Sequence, residues 1–256
     1  MSGAIKIKLN KGHIVGAPKL IVADLKEAED YFIEFFAMKV FRRVDVLKDI
    51  FTETLLVDAA KKHLALFSPK PNIEEPLKKT VWPVLQIDTP DLKSVTKKLE
   101  AAGRRVHYFT VESNEVAVTK DPSGNVVEII NRGKITALGG AKLIVENRQA
   151  SENFYKKLFA IETSEYFKDE TFDEAIFNFS ESLYLALIEP TKKEGIVRSK
   201  FPVVAIYSED YDGIMGRLKE GGFEANEFYP GNVMIAKDPD GNFLEIIRAG
   251  FDINSI

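Results

Sequence analysis

Apolar and polar residues follow the period of a strand in some segments of the chain and the period of a helix in others, and these segments come in a regular order. Residues 19–22 form a short apolar run typical of a strand, and residues 25–36 have the period of an amphipathic helix. Three stretches typical of strands follow at 40–46, 51–58 and 63–67. The same order returns over 82–131, where a helix over 92–102 is predicted to end at Gly103. The first half therefore predicts two βαβββ modules.

The second half of the chain repeats the first. Residues 19–40 match 142–163, and LALFSP at 64–69 returns as LALIEP at 185–190. WPVLQI at 82–87 returns as FPVVAI at 201–206, and KDPSGNVVEIINRG at 120–133 returns as KDPDGNFLEIIRAG at 237–250. Because the matches keep their order, they indicate a duplication. We predict an α+β fold of two tandem domains, 1–134 and 135–256. Their four modules are expected near 15–70, 80–133, 138–190 and 200–250.

The composition excludes several kinds of site and partner. The chain has 35 Lys and Arg, 39 Asp and Glu, three His and no Cys. Without Cys it can form neither disulfides nor thiolate metal sites. A net charge of -4 argues against nucleic acid as the partner. No apolar run approaches the roughly 20 residues of a membrane span, and no targeting segment is visible, so a soluble cytoplasmic protein is expected.

DPSGNVVEI and DPDGNFLEI each close a pair of predicted modules, and VADLKEAEDYFIEFFAMKV opens the first pair. With these motifs the chain resembles the vicinal oxygen chelate superfamily, which includes glyoxalase I, bleomycin-resistance proteins and extradiol dioxygenases. The resemblance covers about residues 15–133 and 138–250. It implies paired βαβββ modules whose sheets curl into half-barrels around a pocket.

The resemblance also implies a metal position. In metal-using members, His or Gln on the first strand and Glu on the last strand of each module hold a divalent ion, which acts as a Lewis acid. In this chain only Glu128 and Glu245 match. The other six positions lack such ligands and hold Ala17, Ala65, Trp82, Gly140, Ala186 and Phe201. One carboxylate in each half is too few for a catalytic metal, so we predict no metal and no other cofactor. A site of His63, His107 and Glu128 in the first half is left open.

Strand alternation predicts the lining of the two pockets. If each half forms its own half-barrel, the first pocket is lined by Lys19, His63, Trp82, Gln86 and Glu128. The second is lined by Lys142, Tyr184, Phe201, Tyr207 and Glu245. Since an unpaired buried charge is costly, Lys19 is expected to pair with Glu128, and Lys142 with Glu245. Exchange of modules between the halves is the alternative, and it also leaves one of these Glu residues in each pocket.

The leading hypothesis is a metal-independent lyase or isomerase that acts on a small aromatic or carbonyl-containing molecule. Glu128 or His63 would move a proton, since both carry groups suited to acid–base chemistry, and Lys19 would stabilise negative charge. The remaining pocket residues are expected to bind the substrate: Trp82, Gln86, His107, Lys142, Tyr184, Phe201, Tyr207 and Glu245. The alternative is a non-catalytic protein that sequesters a flat ligand, as bleomycin-resistance proteins do. A metal-dependent glyoxalase or dioxygenase is disfavoured, and a homodimer is left open.

Overall fold

The computed structural model describes residues 12–44, 51–70, 80–111, 114–179, 183–193 and 201–251. The first module contains β1 (His13–Ile21), α1 (Leu25–Phe36), β2 (Lys39–Val44), β3 (Phe51–Val57) and β4 (His63–Pro69). The second contains β5 (Leu85–Thr89), α2 (Leu92–Ala101), β6 (His107–Val111), β7 (Asn114–Lys120) and β8 (Val126–Asn131). The third contains β9 (Ala137–Ile144), α3 (Arg148–Phe159), β10 (Glu165–Lys168), β11 (Phe172–Asn178) and β12 (Tyr184–Pro190). The fourth contains β13 (Pro202–Ser208), α4 (Tyr211–Glu220), β14 (Ala225–Tyr229), β15 (Val233–Lys237) and β16 (Phe243–Arg248).

The four βαβββ modules confirm the fold predicted from the periodicity. The helix predicted over 25–36 has those bounds, and Gly103 follows the end of α2 with a φ of 75°. Two strand starts were predicted wrongly. β1 begins at His13, six positions before residue 19, and β5 begins at Leu85, so Trp82 lies outside the strand. A run of apolar residues marks burial but not the residue at which strand pairing begins. Residues 45–46 of the predicted second strand lie outside the described residues.

The strands form two eight-stranded sheets, each assembled from both halves of the chain. One sheet has the order β14-β15-β16-β13-β1-β4-β3-β2, and the other has the order β10-β11-β12-β9-β5-β8-β7-β6. β1 therefore pairs with β13, and β5 pairs with β9, both antiparallel. The expectation that each half forms its own pocket is wrong, and the exchange of modules is what occurs. The duplication relates modules one and two to modules three and four, whereas each half-barrel joins modules one and four or modules two and three.

The helices pack their apolar faces on the sheets. In α1 the N-terminus is capped by Asp24, whose carboxylate accepts a 3.0 Å hydrogen bond from Glu27 N. At its C-terminus Ala37 has a φ of 54°, and Ala160 after α3 has a φ of 50°. These left-handed residues end the helices and turn the chain into the next strand. Within the described residues, no helix combines the length and the apolar character needed to cross a membrane.

The two DPxGN turns connect the sheets. Asn125 Nδ2 donates to the Ile21 carbonyl at 3.1 Å, and Asn242 Nδ2 donates to the Ile144 carbonyl at 3.2 Å. Each turn is held closed by its own aspartate, since Asp121 accepts a 2.7 Å bond from Asn125 N. Ile21 and Ile144 end β1 and β9, so each turn ties its module to the opening strand of the other sheet. The motif therefore has a structural role between modules one and two and between modules three and four.

Candidate active site: two lysine centres

A buried lysine with two carboxylates lies in the first sheet. Lys19 Nζ is 2.8 Å from Glu53 Oε2 and 2.8 Å from Glu245 Oε2. The three residues come from β1, β3 and β16, and thus from modules one and four. We call them the Lys19 centre. The lysine side chain is almost fully buried, while Glu245 keeps 16% of its side-chain surface exposed.

The second sheet contains the same arrangement. Lys142 Nζ is 2.6 Å from Glu128 Oε2 and 3.1 Å from Glu174 Oε1. These residues come from β9, β8 and β11, the counterparts of β1, β16 and β3. We call them the Lys142 centre. It is the more closed of the two, because the Glu128 side chain is only 9% exposed.

The strand register explains how three strands that are not all adjacent bring these groups together. Lys19 lies beside Ala65 on β4, and Lys142 lies beside Ala186 on β12. In each case a small alanine lies beside the lysine, and the glutamate on the strand beyond is two positions along, Glu53 beside Phe67 and Glu174 beside Ile188. Glu245 likewise has Ala205 as its neighbour on β13. Small residues therefore flank both lysines and Glu245, whereas Gln86 lies beside Glu128.

Burial and charge act in opposite directions on the lysines. Burial lowers the pKa of Lys19, but the carboxylates of Glu245 and Glu53 raise this pKa by more, so the ammonium stays charged. The same balance raises the pKa of Lys142. Burial raises the pKa of Glu53 and also that of Glu174. Each centre thus has one cation and two carboxyl groups, one of which is harder to ionise than in water.

Both lysine pairs predicted from the sequence are wrong. Lys19 contacts Glu245, not Glu128, and Lys142 contacts Glu128, not Glu245. The reason is the pairing of β1 with β13 and of β5 with β9, which brings residues of opposite halves together. The exchange moves Trp82, Gln86 and Glu128 out of the pocket predicted around Lys19. Gln86 and Glu128 belong to the sheet of Lys142 and Tyr184, and Trp82 packs on Phe172 beside that sheet. Tyr207 and Glu245 belong to the sheet of Lys19 and His63, and Phe201 packs on Phe67 beside it.

The histidines do not join either centre. His63 begins β4, packs edge-on against Phe41 with the ring centroids 4.8 Å apart, and has its pKa lowered by burial, with Asp58 as the opposing charge. His107 is exposed on β6, an edge strand of the other sheet. The site of His63, His107 and Glu128 that the sequence left open is therefore wrong, because His63 is in one sheet and the other two are in the second.

Aromatic rings surround the Lys19 centre. Phe67 lies between Phe51, with ring centroids 4.4 Å apart, and Phe201, with centroids 5.0 Å apart. Lys19 Nζ lies 5.8 Å from the centre of the Phe67 ring, a distance that allows a cation–π interaction. Tyr207 also lies near these charges, and burial raises the pKa of its hydroxyl to about 12. Apolar aromatic rings thus lie beside the charged groups of the Lys19 centre.

A chain of polar side chains extends from the Lys142 sheet instead. The Tyr184 hydroxyl donates to Gln86 Oε1, and Gln86 Nε2 donates to Asp88 Oδ1 at 2.7 Å. Arg132 Nε donates to the same Asp88 oxygen at 2.9 Å. Tyr184 takes up the space above Gly140, where an added Cβ would come within 2.5 Å of the ring. The two centres therefore share their charges but differ in their surroundings.

Comparisons with known proteins decide the fold class. No family model matches the chain, and no curated protein matches it. Among solved structures, glyoxalase I from Zea mays aligns with a TM-score of 0.74 and 21% identity, covering 92% of each chain. A candidate dioxygenase from Bacillus subtilis aligns with a TM-score of 0.70 and 14% identity, covering 96% of this chain and 87% of that one. The chain has the vicinal oxygen chelate fold. Both matches span the two-domain arrangement.

The vicinal oxygen chelate fold allows the donor set to be tested against a divalent metal. In each centre the described carboxylates already face an ammonium group at 2.6–3.1 Å, and its charge repels a second cation. The other positions that the resemblance marks carry no metal-binding atom: Ala17, Ala65, Trp82, Gly140, Ala186 and Phe201. Within the described residues, no group of three His, Cys, Asp or Glu could hold an ion. The residues present do not fit the metal of the superfamily.

Glu53 and Glu174 were missed by the sequence reasoning. They lie in the middle of β3 and β11, where 51–56 reads FTETLL and 172–177 reads FDEAIF. The two glutamates are separated by the same 121 positions as the LALFSP and LALIEP segments. A carboxylate repeated at matching positions of two buried strands was a signal that could have identified them.

Proposed function

We propose that this chain is an enzyme that moves a proton on a small oxygen-containing molecule at the Lys19 centre, as a lyase or isomerase that does not use a metal. The observation that supports it is the ammonium of Lys19 between two carboxylates beside a wall of aromatic rings. The catalytic set predicted from the sequence changes accordingly. In this centre Glu245 takes the role that was predicted for Glu128.

The ammonium supplies the electrophile. It has three N–H donors, and Glu53 and Glu245 accept two of them. The third can donate to a substrate carbonyl oxygen, where negative charge develops when a neighbouring C–H bond breaks. An oriented charge of this kind in a buried site stabilises an enolate more than water does, because it needs no reorganisation.

Glu245 is the proposed base because it is the more exposed of the two carboxylates, at 16% against 11% of the side chain. Its carboxylate takes the proton from carbon, and the bonding electrons move to the substrate oxygen held by Lys19. In a 2-hydroxy carbonyl compound the proton returns to the former carbonyl carbon while the hydroxyl proton moves to the oxygen held by Lys19, which gives the isomer. In a substrate with a leaving group on the β carbon, departure of that group with the bonding electrons gives an elimination. Phe67 and Phe201 would hold an aromatic substrate and exclude water.

Exchange of substrate hydrogen for deuterium tests the proton transfer directly. The protein, dialysed against EDTA, is incubated in D₂O with hydroxyacetone and with 2-hydroxyacetophenone, and deuterium next to the carbonyl is followed by NMR. We expect Glu245→Gln and Lys19→Met to lower the exchange rate by about 10²–10⁴-fold. Glu128→Gln is the matched control in the other centre and should retain exchange. The proposal would be refuted if the protein exchanged neither probe faster than buffer alone does, or if Glu245→Gln exchanged them at the same rate as the unmodified chain.

The second candidate is a non-catalytic protein that binds a flat ligand, and the adjoining rings of Phe51, Phe67 and Phe201 favour it. Calorimetric binding of 2-hydroxyacetophenone that is lost in Phe67→Ala, without deuterium exchange, would support this alternative. Quenching of Trp82 does not report on the Lys19 centre, since Trp82 packs on Phe172 in the other sheet, 6.4 Å between ring centroids.

A further inference from the structure

We propose that two copies of this chain associate through β6, an edge strand of the second sheet, and that the two β6 strands pair antiparallel about a two-fold axis. The inference is independent of the proposed proton transfer, because neither lysine centre takes part in it. It names the partner that the free edge of this sheet fits, which is the same strand of a second copy.

β6 has a free edge. In the described part of the chain it pairs with β7 alone, and it lies at one end of its sheet. Alternate residues of such a strand direct backbone N–H and C=O groups away from the sheet, where another strand can pair with them. Tyr108 is 56% exposed and Phe109 is 41% exposed, and the two rings lie on opposite faces of the strand. The edge is therefore open to an extended segment.

Charge distinguishes β6 from the other three edge strands of the described sheets. Those strands contain charged residues: Lys39, Arg42 and Arg43 in β2, Glu165 and Lys168 in β10, and Glu227 in β14. Charged residues protect an edge strand from pairing with its own copy, because a two-fold axis brings like charges close together. The sequence of β6 is HYFTV, without Lys, Arg, Asp or Glu. A second copy can therefore approach this edge without such repulsion.

The sequence of β6 is also compatible with pairing to itself. A two-fold axis at the middle residue, Phe109, pairs all five positions: Phe109 with Phe109 of the second copy, Tyr108 with Thr110, and His107 with Val111. The facing residues are aromatic or β-branched, the types that stabilise cross-strand pairs. The Tyr108 hydroxyl donates to Glu100 Oε1 of α2 at 3.0 Å, so this ring lies on the helix side of the sheet. Phe109 meets its counterpart on the other side.

Sedimentation equilibrium of the full chain at pH 8, from about 10 µM to about 1 mM, tests the inference. We expect a monomer–dimer equilibrium with a Kd of about 10⁻⁵–10⁻⁴ M, because a pair of five-residue strands buries less than the roughly 1,200 Å² of a stable interface. Phe109→Lys should raise this Kd at least about tenfold, since two ammonium groups would lie across the axis. Phe228→Lys is the matched control on β14, where the ring is 43% exposed, and should leave the Kd unchanged.

Opposite charges test the position of the axis. Phe109→Glu should weaken the dimer as Phe109→Lys does, whereas an equimolar mixture of the two variants should associate at least about tenfold more tightly than either alone. Circular dichroism verifies that each variant is folded. If Phe109→Lys does not fold, Thr110→Lys places a charge at an exposed position of the same strand and should also weaken the dimer.

A chain that stays monomeric up to about 1 mM would overturn the inference and leave this edge to an extended segment of a different partner. A dimer with an unchanged Kd in the folded lysine variant would overturn the assignment to β6. A mixture of the lysine and glutamate variants that associates no more tightly than its components would overturn the axis at Phe109.

Discussion

Replacing Lys19 by Met removes a charge from the Lys19 centre while keeping a side chain of similar length. Glu53 and Glu245 would then face each other without the cation that lies 2.8 Å from both. Their oxygens can be no more than about 6 Å apart because both reach one nitrogen, and at an effective dielectric constant near 20 two charges at that distance repel by about 3 kcal/mol. Breaking a buried ion pair from one side costs about 3–5 kcal/mol in general. We therefore expect Lys19→Met to lower the free energy of unfolding by about 3–5 kcal/mol at pH 8.

The loss should depend on pH. Burial already raises the pKa of Glu53, and without Lys19 that pKa must rise further. A carboxyl whose pKa is higher in the folded than in the unfolded protein stabilises the fold at low pH, and this contribution is lost as the pH rises through the folded pKa. The free energy of unfolding of Lys19→Met should therefore fall from pH 5 to pH 8 relative to the unmodified chain, by at most about 1.4 kcal/mol per pH unit and per proton.

Urea denaturation at pH 5 and pH 8, with linear extrapolation to water, measures the effect. Lys19→Met combined with Glu53→Gln is the control, because it removes the repulsion and should restore most of the stability at pH 8. A loss below about 1 kcal/mol at pH 8, or an equal loss at both pH values, would show that the two carboxylates do not share one buried cation.

Three further predictions concern stability. Gly140→Ala should lower the free energy of unfolding by about 1–3 kcal/mol or more, because the new Cβ would come within 2.5 Å of Tyr184. Gly216→Ala in α4, where the Cβ meets open space, should raise the free energy of unfolding by up to about 1 kcal/mol. Thermal unfolding of the two variants measures the difference. Asn242→Ala should lower the free energy of unfolding by about 1–3 kcal/mol through loss of its side-chain hydrogen bonds, and a change below 0.5 kcal/mol in urea would contradict its role between the sheets. Burial lowers the pKa of His13, so the unfolded chain binds a proton there at a higher pH than the folded chain, and the free energy of unfolding falls as the pH drops below about 6.5. His13→Asn should reduce this dependence by up to about 1.4 kcal/mol per pH unit. An unchanged pH dependence would contradict the lowered pKa of His13.

Local pattern was sufficient for the modules. The amphipathic period of residues 25–36 predicted α1, and Tyr31, Phe32, Phe35 and Phe36 of this helix are buried in the structure. Helix periods and turn residues depend on neighbours within a few positions, so a single sequence contains that information. The ends of β1 and β5 were less certain, because strand ends depend on which partner strand continues beside them.

The lysines and two of the four glutamates in the centres were also identified before the structure. Glu128 and Glu245 were identified because they match metal positions that the resemblance implies. Lys19 and Lys142 were identified because strand alternation from those positions directs them inward and because a buried charge needs a partner. The partners were assigned wrongly, since alternation specifies a face of a strand but not the strand beside it. The side chains themselves were compatible with both pairings of the modules.

By itself the sequence determined that the chain is duplicated, that each copy contains two βαβββ modules, and that the inward-facing positions carry lysine and carboxylate in place of most metal ligands. The tertiary structure decided which charges meet. β1 pairs with β13 across 186 to 195 positions of the chain, and this pairing brings Lys19 to Glu245 and leaves Glu128 to Lys142. Two halves with the same order of modules offer similar strand edges, so the choice between partners depends on packing of the whole molecule, which no local pattern encodes.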